Sequence, residues 1–131
     1  MSYTYDWTVR FSDCDMFGIA HYPWIVETVH EVSDRFVESL GWSYWEMTEE
    51  HGLGLPIVEL EVSFERPVEA GDEVRIELTP TVGESSVRFD YEASCDGETV
   101  FTVTEQRVCG KAGSGESTPL PEGLAAAMRS V

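Results

Sequence analysis

Residues 11–40 read FSDCDMFGIAHYPWIVETVHEVSDRFVESL, and the rest of the chain is organised around them. From about Pro23 onward, Ile25, Val29, Val32, Phe36 and Leu40 recur at steps of four, three, four and four. That spacing is one apolar stripe along a long helix, with Glu27, Glu31, Asp34, Arg35 and Glu38 lying off it. Pro23 suits the start of such a helix, where its fixed φ helps and its missing N–H is not needed. Gly41 suits the end. Upstream, Asp13 and Asp15 stand in a short segment closed by Gly18. A carboxylate just before a helix N-terminus lies where free backbone N–H groups can hold a developing oxyanion. This segment is the candidate reaction centre.

On its N-terminal side, Tyr3, Tyr5, Trp7, Val9 and Phe11 alternate with Thr4, Asp6, Thr8 and Arg10, the period of a half-buried strand. On its C-terminal side a short helix is expected over about Ser43–Glu50, opened by a capping box of Ser43 and Glu46. Val58, Leu60, Val62 and Phe64 then alternate with Glu59, Glu61, Ser63 and Glu65. After a turn at Pro67–Asp72, further alternation runs through Val74, Ile76 and Leu78, and through Val87, Phe89, Tyr91 and Ala93. Asp96-Gly97 turns the last of these strands over. A three-residue loop, Asp96–Glu98, sets Tyr91 against Val103 and Ala93 against Phe101. It also sets Cys95 opposite Thr99 and Cys109 opposite Ser85. Residues 110–119 read as a flexible connector, and 120–131 as a short C-terminal helix centred on Leu124–Arg129. The expectation is a single α+β domain over 1–131, with the long helix across the concave face of an antiparallel sheet. One sheet edge is left for another copy to extend.

Composition narrows the function classes. Twenty-five acidic residues against eight basic ones give a formal charge of −17. Such a surface repels nucleic acid, which needs basic phosphate contacts. Seven of the eight cations are Arg and only Lys111 is lysine, a balance read here as adaptation to a salt-rich cytoplasm. No apolar run approaches the roughly 20 residues of a membrane span. The N-terminus shows no secretory pattern, so a soluble, cytoplasmic protein is expected. Cys14, Cys95 and Cys109 have no CxxC spacing, and no metal-ligand pattern such as H-E-x-x-H occurs. No metal is therefore expected.

The segment DCDMFGIAHYP, with Pro56-Ile57-Val58 through Ser63-Phe64 and the Arg66-Pro67…Gly71-Asp72 turn, resembles the hotdog-fold acyl-CoA thioesterases of the 4-hydroxybenzoyl-CoA thioesterase type. The resemblance spans about Val9 to Val108. It implies a long central helix wrapped by a curved antiparallel sheet, and an acyl-CoA thioester hydrolase assembling as a homodimer or homotetramer. Coenzyme A would be part of the substrate, with no separate cofactor. By the same resemblance Asp15 is the catalytic carboxylate, as nucleophile or general base, and the Tyr22 backbone N–H polarises the thioester carbonyl. Gly18 and His21 adjoin the substrate. Where close relatives carry a basic run for the CoA phosphates, this chain reads Gly83-Glu84-Ser85-Ser86-Val87-Arg88, which leaves Arg88 for that role. Relatives also carry an aromatic residue where this chain has Ile25.

Asp13 reads as a turn or cap residue, and Cys14 lacks a placed base for nucleophilic work. Two other functions remain open from sequence. One is an acyl-thioester hydratase, which would need an Asp–His or Glu–His pair. The other is a non-catalytic acyl-CoA-binding module.

Overall fold

The computed structural model of the chain describes residues 2–131. In chain order its elements are β1 (Tyr3–Thr8), α1 (Tyr22–Ser39), α2 (Tyr44–His51), β2 (Leu53–Gly54), β3 (Ile57–Phe64), β4 (Glu73–Val82), β5 (Ser86–Cys95), β6 (Glu98–Val108), β7 (Gly110–Lys111) and α3 (Glu122–Arg129). A one-turn 3-10 helix, Phe11–Asp13, lies between β1 and α1. Five strands form an antiparallel sheet in the spatial order β1-β4-β5-β6-β3.

The apolar stripe of α1 faces the sheet as its spacing predicts. Ile25, Val29, Val32 and Phe36 are buried, each contributing about 2 kcal/mol of transfer free energy as an upper estimate. Phe36 meets the edge of Phe89 at 5.7 Å between ring centroids and tilts against Tyr3 at 5.6 Å. The helix closes in a Schellman arrangement. Gly41 N–H donates to the Glu38 carbonyl and Trp42 N–H to the Val37 carbonyl, with Gly41 at φ 85°. In α2, Ser43 Oγ accepts from Glu46 N–H at 3.0 Å, one half of the expected capping box.

Three expectations change. Tyr91 faces Val103 and Ala93 faces Phe101, but the hairpin loop is the two residues Asp96 and Gly97, not three. Both have positive φ, 52° and 80°, which suits the right-handed twist of a tight hairpin. A bulge at Ala93/Ser94 absorbs the odd residue, so Cys95 lies opposite Glu98 rather than Thr99. Second, residues 110–119 are not a bare tether. Within them β7 pairs with β2, and Thr118 N–H reaches the Cys109 carbonyl. Third, the alternation of Val58, Leu60, Val62 and Phe64 along β3 has the period of a half-buried strand. Instead Val58 is 60 %, Leu60 44 % and Phe64 52 % exposed. The buried core lies on β4, β5 and β6 under α1, and β3 is the sheet edge beyond it.

Candidate active site

The segment joining β1 to α1 is a pair of locked turns. In the 3-10 turn, Asp13 Oδ2 accepts the Arg10 N–H at 3.0 Å, so this carboxylate caps its own turn. Two residues on, Asp15 starts a second turn. Its N–H donates to the Ile19 carbonyl at 2.9 Å and its carbonyl accepts from Gly18 N–H at 3.0 Å. Its Oδ1 accepts from Phe17 N–H at 2.8 Å and lies 3.4 Å from Ile19 N. The carboxylate is thereby oriented through one oxygen. Gly18 sits at φ 76° with open space where a Cβ would stand, so glycine is needed for the backbone angle alone.

A third segment holds these turns. Ala20 N–H donates to the Val68 carbonyl at 2.7 Å, Ala70 N–H to Gly18 at 3.1 Å and Gly71 N–H to Val9 at 2.8 Å, while Val9 N–H donates to Asp72 at 2.9 Å. The Pro67–Asp72 turn, which the sequence marks only as a strand connection, is the bracket that fixes the Asp15 turn. Its partners are more than 45 residues away in the chain, and no local pattern announces them.

The helix begins where that bracket ends. His21 N–H donates to the Asp13 carbonyl at 2.8 Å, and the His21 carbonyl receives Trp24 N–H at 3.0 Å and Ile25 N–H at 3.3 Å. Pro23 has no N–H. Among the described residues the Tyr22 N–H has no acceptor, which leaves one free donor at the positive end of α1. A groove of about 350 Å³ opens beside it, walled by Ile19, Ala20, Tyr22, Ile25, Phe64 and Val68, with Glu65, Arg66 and Pro67 also on it. This arrangement suits an apolar group whose polar carbonyl reaches the free N–H.

The remaining sequence-derived residues distribute unevenly. His21 is exposed and does not line the groove, its ring edge-on to Tyr22 at 5.4 Å. Arg88 is not brought to Asp15 within one chain. It pairs with Thr81 across β4, eight residues along the strand from Glu73, which is roughly 25 Å from the bracket at strand rise. Its guanidinium is held by Asp90 at 3.0 Å. Burial, then the carboxylates of Asp13 and Asp15, push the Cys14 thiol above its ordinary value, the wrong direction for a nucleophile. Among the described residues no cluster of three or more His, Cys, Asp or Glu could hold a metal, and no helix is long and apolar enough to cross a membrane.

A family model described as the thioesterase-like superfamily matches residues 9–128. The chain belongs to that superfamily. The 1,4-dihydroxy-2-naphthoyl-CoA hydrolase of Synechococcus elongatus is 30% identical over 124 residues, which are 93% of this chain and 91% of the relative. The protein of the same name from Nostoc punctiforme is 29% identical over 123 residues, 93% and 83% of the two chains. Among solved structures, a 1,4-dihydroxy-2-naphthoyl-CoA thioesterase from Synechocystis superposes with a TM-score of 0.92 at 22% identity, covering 100% of this chain and 98% of that one. A gentisyl-coenzyme A thioesterase superposes with a TM-score of 0.84 at 25% identity, covering 96% and 99%. The fold of this thioesterase is the hotdog fold, and the chain is an enzyme of the thioester-hydrolase class. The resemblance read from DCDMFGIAHYP therefore holds for the whole domain.

Proposed function

We propose that this thioesterase hydrolyses an aromatic acyl-CoA of the 1,4-dihydroxy-2-naphthoyl type to the free acid and CoA. The observation that carries the reading is the Asp15 turn, bracketed against a helix start with a free Tyr22 N–H and an apolar groove. A thioester carbonyl has little charge at rest and much in the tetrahedral state, so a fixed donor favours the latter. Asp15 either attacks the carbonyl carbon, expelling CoA thiolate and leaving a mixed anhydride for water to open, or takes a proton from the attacking water. The 1,4-dihydroxy-2-naphthoyl group in the relatives' name is a flat bicyclic ring whose apolar faces suit the groove, with its hydroxyls at the ring edge. Thiol release from a panel of acyl-CoAs at high salt tests this. Aryl-CoAs are expected to turn over well above short and long aliphatic ones, and no release from any aryl-CoA would end the proposal.

The unit that works is, in this reading, a homodimer formed along β3. Among the described residues its outer edge is unpaired, and Ile57, Val58, Leu60 and Phe64 remain exposed along the strand, with Phe64 on the groove itself. A second copy paired there would extend the sheet by isologous contacts and cover these side chains. The −17 charge opposes that association when salt is removed. Sedimentation and melting in potassium chloride check both points. Lowering salt from molar to ~10 mM is expected to dissociate the dimer and lower Tm. A monomer at every salt concentration, or curves that do not move, contradicts this account.

A further inference from the structure

Seven of the eight cationic side chains are engaged. Arg35, Arg66, Arg75, Arg88, Arg107 and Lys111 each lie within 4.0 Å of a carboxylate, and Arg129 approaches the Gly83 carbonyl at 3.5 Å. Among the described residues only the Arg10 guanidinium has neither an ion pair nor a hydrogen bond. In a chain with 25 acidic residues an unpaired arginine is conspicuous. Its backbone is committed to the reaction centre. The Arg10 carbonyl accepts Asp13 N–H at 2.9 Å and lies 3.4 Å from Cys14 Sγ, while its N–H donates to Asp13. The side chain lines a cleft between β1 and α1 that also holds Asp13, Trp24 and Glu27. Trp24 belongs to the first turn of α1, the same turn that presents the free Tyr22 N–H.

Resting on the hydrolase reading above, we infer that Arg10 is the substrate-anion contact of this thioesterase. A guanidinium binds phosphate or phenolate oxygens through paired N–H donors. The cleft also carries Asp13, Glu27, Glu31 and Asp34, and its other guanidinium, Arg35, is held by Glu31, so without Arg10 the local field repels a negatively charged substrate. Two parts of an aryl-CoA offer that oxygen chemistry, the phosphates of the nucleotide and an ionised hydroxyl on the acyl ring. Arg88, which is held by Asp90 on a distant stretch of β5, offers neither advantage within the chain.

The test compares wild type with Arg10→Gln, and with Arg10→Lys as the charge-keeping variant, on aryl thioesters of CoA and of pantetheine, with and without a ring hydroxyl. Arg10→Gln is expected to raise KM about tenfold with kcat nearly unchanged, Arg10→Lys to recover part of the loss, and salt to shrink the difference. A rise confined to the CoA esters assigns the phosphates. A rise in both carriers but only for hydroxylated rings assigns the acyl oxygen. An equal change on all substrates, or none, overturns the inference, as does a fall in kcat alone. Absence of wild-type turnover would defeat the hydrolase reading instead. Calorimetric binding of CoA, pantetheine and aryl carboxylates with and without a ring hydroxyl to the same three proteins then makes the comparison, with equal affinities of Arg10→Gln and wild type for every one of these ligands overturning it.

Discussion

Asp15→Asn is expected to lower kcat for thioester hydrolysis by roughly 10³-fold, within the range typical of a lost general base. Tm should move by only a few degrees. The separation of the two effects follows from the turn. An asparagine amide oxygen can still accept the Phe17 N–H that Asp15 Oδ1 accepts at 2.8 Å, and the turn's backbone bonds do not involve the side chain. What the amide cannot do is attack a carbonyl carbon or take a proton from water, so both chemical routes fail together. Asp13→Asn is the matched control. That carboxylate caps Arg10 N–H within its own turn, and an amide oxygen can replace it there, so turnover should fall by less than about tenfold. The measurement is single-turnover hydrolysis with purified proteins whose melting curves match. Near wild-type turnover by Asp15→Asn would remove the carboxylate from the mechanism, and a comparable loss in Asp13→Asn would show that the turn rather than Asp15 is what matters.

The parts of the fold and of this candidate site that are legible from sequence are those whose causes are local. The stripe from Ile25 to Phe36 states which face of α1 is buried, and Pro23 and Gly41 mark its ends within a residue or so. Asp15, Gly18 and Tyr22 lie within eight positions of each other, so one motif can carry all three. The strand alternation also placed Tyr91 against Val103, even though a bulge gave the hairpin a shorter loop than the pattern implied. Exposure of β3 was not legible, because whether Leu60 and Phe64 are covered depends on where a distant helix ends over the sheet. The bracket at Val68–Asp72 was missed for the same reason: its backbone bonds to Val9, Gly18 and Ala20 carry no side-chain signature. On β6 the alternation of Phe101 and Val103 leads one to expect apolar residues at 105 and 107. The chain puts Glu105 and Arg107 there, 2 % and 3 % exposed. Only partners from α1, β5 and the loop before β3 explain how these charges are buried.

Those partners make Arg107→Met the most destabilising single change expected in the core. Arg107 Nη2 and Nε lie 3.2 and 3.3 Å from Glu105 Oε1, and the Tyr91 hydroxyl donates to the same oxygen at 2.6 Å. Arg107 Nη1 donates to the Leu55 carbonyl at 3.0 Å, and Nη2 lies 3.4 Å from both Ser33 Oγ and His30 Nδ1. The rings of Tyr44 and Phe89 flank the guanidinium at 5.3 and 5.6 Å. The pair itself need contribute little, since two desolvation penalties offset much of the attraction. Removing one partner is different. Arg107→Met leaves the Glu105 carboxylate buried without a counter-charge, at a cost of about 3–5 kcal/mol, and frees the Leu55 carbonyl as well. Against a total stability of roughly 5–15 kcal/mol, that lowers Tm by ten degrees or more. Burial, then Glu105, hold the Tyr91 hydroxyl far above its ordinary value. Its contribution is therefore complete below the unfolded value of about 10 and is lost as pH rises beyond it. Wild-type stability should accordingly decline on the alkaline side. The decisive comparison is the double variant Glu105→Gln/Arg107→Met, which removes the charge together with its partner. Urea unfolding should find the double variant more stable than Arg107→Met alone, a non-additivity of 1 kcal/mol or more. Additive losses, or a single-variant cost below about 1 kcal/mol, would mean that the buried charges are not coupled as their geometry implies.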